Sequence, residues 1–215
     1  MKKAALIATL FVSTPALANV TFYDSKVLFD AAAATILIEN FDDFSPTDTE
    51  IYSSITRGIA TYTPLSGSPA PNLFINGTNT VYNAFGANLN PFTGTVLNSS
   101  GDEDIMVSFS TPLTAAGFDG YLNGLGVGNV KVFSDGNLLG TLNLPDPVGG
   151  GKIFVGITSD TPFNSFQWTT TGGGTLSTAI DTITVATVPI PAAGWLLGSA
   201  LAGLLTIRNR YSKKV

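Results

Sequence analysis

From Thr35 onward the sequence alternates short β-branched and aromatic runs with clusters of Gly, Pro, Asn and Asp, and that rhythm limits the chain to an all-β domain. Strands are expected near Ile36 to Phe41, Gly58 to Thr63, Leu73 to Ile75, Val81 to Phe85, Ile105 to Ser110, Ala115 to Tyr121, Val130 to Ser134, Leu138 to Leu144, Ile153 to Thr158, Ser165 to Thr170 and Ile180 to Val185. Two of them alternate cleanly. Ile105, Val107 and Phe109 fall on one face, as do Ile153, Val155 and Ile157, so each sheet buries one side and wets the other. Asp135-Gly136, between Ser134 and Asn137, suits the positive φ values of a type I′ hairpin turn. One helix is expected at Lys26 to Ala34, after Asp24 or Ser25 as N-cap, with Val27, Leu28 and Ala31 at helical spacing. About eleven short strands and one short helix predict an antiparallel β-sandwich, most simply a jelly roll. The runner-up, an open-ended β-solenoid, lacks an internal repeat of fixed period.

The two ends have a different character. Lys2 and Lys3 precede the apolar run Ala4 to Val12, and Ala16-Leu17-Ala18 supplies a small-x-small cleavage site, so residues 1–18 read as a secretory signal peptide. The run is too short to span a bilayer. At the other end, Val188-Pro189-Ile190-Pro191 is expected to be extended and readable, because proline fixes φ and removes a backbone donor. Ala192 to Ile207 then runs 16 residues without a charge. As a helix it measures about 24 Å, a little short of a hydrocarbon core of roughly 30 Å. Arg208 can snorkel to close the gap, and Arg208, Arg210, Lys213 and Lys214 are expected to hold residues 208–215 on the cytoplasmic side.

Between these ends lies one extracytoplasmic domain, residues 19–187, large enough for a real core. It carries four basic residues, Lys26, Arg57, Lys131 and Lys152, against all 15 acidic ones, 4 − 15, a net charge of −11. That sign excludes a nucleic-acid binder and suits cation binding. There is no Cys, although export would allow disulfides. There is no His either, which removes the commonest general base and the Ser-His and Cys-His nucleophile pairs.

The proline motif, the apolar run with its Trp195-Leu196 and its small-residue step Gly198-Ser199-Ala200, and the basic end together resemble the PEP-CTERM sorting signal of Gram-negative bacteria, in the variant that reads VPLPA. Here the motif is Val188, Pro189, Ile190, Pro191, Ala192, with Ile190 in place of the usual Leu or Glu and with Asn209 and Tyr211 interrupting the tail. The resemblance covers the last 28 residues and implies a particular history. The protein would be exported by the Sec machinery, held in the inner membrane as a precursor, and cut by an exosortase-type membrane protease for delivery to the cell surface or extracellular matrix. The alternative is an ordinary C-terminal anchor that is never cut.

The core also resembles a domain that recurs in PEP-CTERM proteins, through Glu39 to Phe44, Phe109 to Phe118, Val130 to Thr141, Phe154 to Phe163 and Ala179 to Val185. Such domains look like carbohydrate-binding jelly rolls, in which acids from the first and last strands share a structural calcium. Strand parity puts Asp181 with Ile183 and Val185, and Glu39 with Leu37 and Phe41, so carboxylates are expected to point inward, where they need a partner. The resemblance therefore implies one Ca²⁺ at Glu39, Asp42 and Asp181, oxygen ligands being those that calcium takes. The competing reading turns Ile180 inward and leaves the acids as a solvated edge.

Other segments are less specific. Asp102, Glu103 and Asp104 read as a second metal loop or, more simply, a charged turn. Gly124, Gly126 and Gly128 precede no helix pattern and read as a loop, like Gly149 to Gly151 and Gly172 to Gly174. Tyr52, Tyr62, Tyr82, Tyr121 and Trp168 are the rings available to stack on a sugar, although Trp168 shares a face with Phe166 and belongs to the core. Asn72 to Asn90 and Asn123 offer hydrogen bonds to hydroxyls or simply make turns. The sequence thus predicts a non-enzymatic matrix protein associated with exopolysaccharide or biofilm. A secreted polysaccharide hydrolase or lyase, built on a carboxylate pair, is the alternative.

Overall fold

The computed structural model describes residues 18–44, 50–65, 73–76, 94–99, 104–122, 127–145, 151–170 and 178–188. The signal peptide, the strand expected at Val81 to Phe85, and the sorting motif beyond Val188 with its helix and basic tail lie outside them, apart from the signal peptide's last residue. No helix among the described residues is long and apolar enough to cross a membrane.

The described chain is an antiparallel β-sandwich with one short helix. In order it runs β1 (Val20–Tyr23), α1 (Lys26–Ala32), β2 (Ala34–Glu39), β3 (Glu50–Tyr52), β4 (Ile55–Arg57), β5 (Ala60–Pro64), β6 (Leu73–Asn76), β7 (Val96–Ser99), β8 (Ile105–Leu122), β9 (Gly128–Ser134), β10 (Asn137–Leu144), β11 (Gly151–Thr170) and β12 (Ala179–Thr187). Two long strands organise it. The first part of β8 pairs with β5, and its second part pairs with β12. Likewise the first part of β11 pairs with β1 and its second part with β9, while β8 and β11 pair with each other on both sides of a break in register. Each long strand therefore belongs to both layers, and the sequence's four expected strands are two strands with a corner in each.

The corners have a chemical cause. Thr111-Pro112 in β8 and Thr161-Pro162 in β11 fall at the register breaks, and Pro cannot donate to the ladder. Strands that change layer do so at such bends. Exposed Ser110 to Pro112 and Asp160 mark the corner on the outside.

One layer runs β1, β11, β8, β12 and β2, and the other runs β10, β9, β11, β8, β5 and β4. β7, β6 and β3 extend from β12. Ile105, Val107 and Phe109 point into the core as expected, with Val155 and Ile157 facing them from the other layer. The layers are joined by stacked rings, Phe118 against Phe166 at 4.8 Å between centroids and 10° between planes, with Trp168 edge-on to Phe118 at 5.4 Å. Full burial of such a ring is worth about 1.5–3 kcal/mol, and a well-placed pair adds about 0.5–1.5 kcal/mol. The hairpin turn takes the expected form, with φ of 48° at Asp135 and 81° at Gly136.

Two local expectations are corrected. Gly58 and Ile59 do not begin a strand; they turn the β4–β5 hairpin, with Gly58 at φ 52°. The helix ends at Ala32, and its buried side chain is Phe29, not the Val27, Leu28 and Ala31 set. Phe29 packs on the outer face of the first layer, where Gly117 and Gly156 leave room for the ring: a Cβ at Gly156 would lie 2.6 Å from it. A single aromatic against two glycines wins over the spaced apolar side chains because Gly117 and Gly156 open a socket that the Phe29 ring fills. β1, β3, β4 and β7 are too short or too polar to stand out in the sequence.

Candidate functional site

The acidic edge was the region where sequence placed its metal candidates, and the structure divides it by face. Glu39 pairs with Ile183 and Leu37 with Val185, so Glu39 lies on the core side of β2, as its parity predicts. Opposite it, Gly58 has the positive φ that brings its Cα hard against the Glu39 carboxylate; a Cβ there would collide with Oε1. Nearby, the Tyr62 hydroxyl is fully buried with no hydrogen-bond partner among the described residues. Burial pushes that phenol well above its ordinary range, Glu39 adds to the shift and Arg57 opposes it.

Asp181 behaves differently. Ile180 pairs with Gly120 and Ile183 with Phe118, so β12 carries one extra residue between them. That bulge lets Ile180 and Ile183 both point into the core and turns Asp181 to the outer face. There its carboxylate lies 3.8 Å from Lys152 Nζ, which also binds Asp119 at 3.0 Å. Asp119 and Lys152 are residues the sequence reading passed over, because their meeting depends on the register of β8 and β11, which no local pattern announces. The Asp181 carboxyl is pushed up to about 6, chiefly by burial; Lys152 opposes the shift, Asp42 and Asp119 add to it, and a Thr182 hydrogen bond opposes it.

Asp42 sits between these two regions, in the turn after Phe41. Its Oδ2 accepts from Asn40 Nδ2 at 3.1 Å, and its Oδ1 accepts from the Thr95 backbone N–H at 3.3 Å. Gly94, at φ 125°, presses on the same carboxylate. Beside it Arg57 donates to Asp43 Oδ1 at 2.6 Å and lies 5.0 Å from the centre of the Phe44 ring. The three residues read together as calcium ligands thus occupy two faces, and among the described residues no three acidic side chains come together to hold a metal ion. The donor set present does not fit the implied ion, since Asp181 has Lys152 as its counter-charge on the outer face and Glu39 lies on the core side.

The sugar-stacking candidates also change. Tyr62, Tyr121 and Trp168 are buried, and Tyr52 is half-buried, edge-on to Phe44 at 6.4 Å. Tyr82, Asp102 and Glu103 lie outside the described residues. Of the sorting motif only Val188 is described. It packs against the cluster of Phe29, Ala33, Ala115 and Ala186, and its N–H donates to Thr114 Oγ1 at 3.2 Å. Pro189, Ile190, Pro191, Ala192, Arg208, Arg210, Lys213 and Lys214 lie beyond.

Neither a protein-family model nor a curated protein sequence matches the chain. Solved structures do. The chain is similar to a carbohydrate-binding module of family 29, with a TM-score of 0.32 and 9% identity over 79% of this chain and 90% of that one. A substituted form of such a module, CBM29-2, matches at the same TM-score and identity, over 94% of its length. The enzymatically active domain of tailspike protein 4 from bacteriophage CBA120 matches at a TM-score of 0.28 and 10% identity, over 66% of this chain and 20% of that one. At these TM-scores the matches are distant and carry no conclusion about ligand or activity.

Proposed function

We propose that this chain is an exported, non-enzymatic protein of the cell surface or extracellular matrix of a Gram-negative bacterium. On this reading it leaves by the Sec route, waits in the inner membrane, and is processed by an exosortase-type protease at Val188 to Ala192. The observation that carries the reading is the ordered tail: a proline motif, 16 uncharged residues, then Arg208, Arg210, Lys213 and Lys214. The packing of half-buried Val188 against the cluster of Phe29, Ala33, Ala115 and Ala186 supports it, because the motif then begins directly on the sandwich. The acidic sandwich is the part that meets the matrix, and exopolysaccharide is its partner. Calcium is left out of the proposal, because Glu39 and Asp181 lie on different faces.

Co-sedimentation of the mature protein with the producing cell's own exopolysaccharide, in calcium and in chelator, tests the binding half. Saturable binding of equal strength in both conditions is expected. No binding in either condition would sink the glycan role, and release of new sugar ends would replace it with hydrolase or lyase activity.

A further inference from the structure

The helix face that fails to reach the core leaves an apolar surface. Val27 is 78% exposed and Leu28 57%, and on β2 Ile36 is 64% and Ile38 53% exposed. All four belong to the same side of the molecule. Ile38 pairs with Thr184, Thr184 with Gly117 and Gly117 with Gly156, which places Ile38 in the outer-face row on which Phe29 of α1 is seated. The one basic residue of the helix, Lys26, is paired with Asp30 at 2.8 Å, which leaves exposed Asp24 as the single charge beside the patch although the domain as a whole is strongly acidic.

The chain leaves the domain at the same place. Val188 packs against the cluster of Phe29, Ala33, Ala115 and Ala186, and only Pro189, Ile190 and Pro191 separate it from the uncharged run that starts at Ala192. Four Cα-to-Cα steps span at most about 14 Å. A segment anchored in a bilayer from Ala192 onward therefore holds Val188 within that distance of the lipid headgroups, and with it the end of the face where Ala34 pairs with Thr187. Apolar side chains delivered to that depth gain by entering the interface, each buried CH₂ being worth about 0.8 kcal/mol.

We propose that in the uncleaved precursor the face formed by α1 and β2 lies on the outer leaflet of the inner membrane, with Val27, Leu28, Ile36 and Ile38 inserted at headgroup level. The partner is the lipid surface itself. This inference rests on the reading of residues 192–207 as a membrane segment. It adds an orientation: the docked face presents Val188 to Ala192 at the bilayer surface, within reach of a membrane-embedded protease, and releases when the tether is cut.

The test uses the absence of native cysteine. Leu28→Cys, Ile38→Cys and, as control, Leu138→Cys are each made in the uncleaved chain and labelled with a polarity-sensitive fluorophore. Leu138 is 55% exposed on β10, on the outside of the opposite layer. The chains are reconstituted into vesicles of phosphatidylethanolamine and phosphatidylglycerol, floated on a density gradient, and exposed to a headgroup-depth quencher. The expected result is flotation of all three, with a blue shift and quenching at positions 28 and 38 and neither at 138. Flotation with no quenching at 28 and 38, or equal quenching at 138, overturns the docked face while leaving the membrane segment standing. Failure to float overturns the membrane segment, and the docking with it.

Discussion

Replacing Asp181 by Asn should stabilise the domain at neutral pH, and the size of the effect follows from its surroundings. The side chain is 13% exposed on the outer face of β12, and burial raises its carboxyl from 3.8 to about 6. The native state therefore holds the proton more tightly than the unfolded state does. Between about pH 4 and pH 6 the folded form binds more protons, so stability falls as pH rises through that window and the whole penalty is present above it. Two pKa units are worth about 3 kcal/mol. That figure is already net of the 3.8 Å contact with Lys152, which opposes the shift, and in the variant Lys152 keeps Asp119 at 3.0 Å. The net expectation at pH 7.5 is a gain of about 3 kcal/mol, shrinking to about 0.5 kcal/mol at pH 4, where the folded carboxyl is protonated and the unfolded one is about half-protonated. Urea unfolding followed by circular dichroism at the two pH values measures it. A variant less stable than wild type at pH 7.5 would refute the reasoning and mean that the charged Asp181 has a cation to hold that Lys152 does not replace.

Phe29→Ala removes the ring that seats α1 and should cost about 3 kcal/mol, with early loss of hydrogen-exchange protection in residues 26–32 and little change in β8 and β11. Gly156→Ala puts a methyl 2.6 Å from Phe29 and should cost about 1–3 kcal/mol by urea titration, a loss that the pair with Phe29→Leu partly recovers. Gly136→Ala meets nothing within 4 Å, so its cost of about 1 kcal/mol comes from φ 81° alone, and Gly136→Asn should cost less in the same assay.

The layered fold was legible because alternation survives wherever one face is buried: Ile105, Val107 and Phe109 needed no tertiary information. The Asp135-Gly136 turn was legible for the same local reason. What stayed hidden depends on long-range register. Thr111-Pro112 and Thr161-Pro162 read as loop punctuation until their pairing across β8 and β11 makes them corners of continuous strands. Parity placed Glu39 correctly and failed at Asp181, since one bulged residue reverses the faces of a strand. Burial of Phe29 in place of Val27, Leu28 and Ala31 follows from glycines about 90 and 130 residues further along the chain, at Gly117 and Gly156. Helical spacing within α1 does not contain that information. Asp119 and Lys152 were invisible as a site because single charges on alternating strands resemble any solvated face.

Release from the membrane depends on the tail, and one measurement addresses it: intact-mass analysis of the protein in membrane, surface and medium fractions of the producing cell, for wild type and for Pro189→Ala with Pro191→Ala. Wild type should have lost Arg208 to Lys214 and left the membrane, and the double variant should remain there at full precursor mass. A double variant with the same mass and location as wild type, or a wild type that keeps its basic tail, would contradict the account.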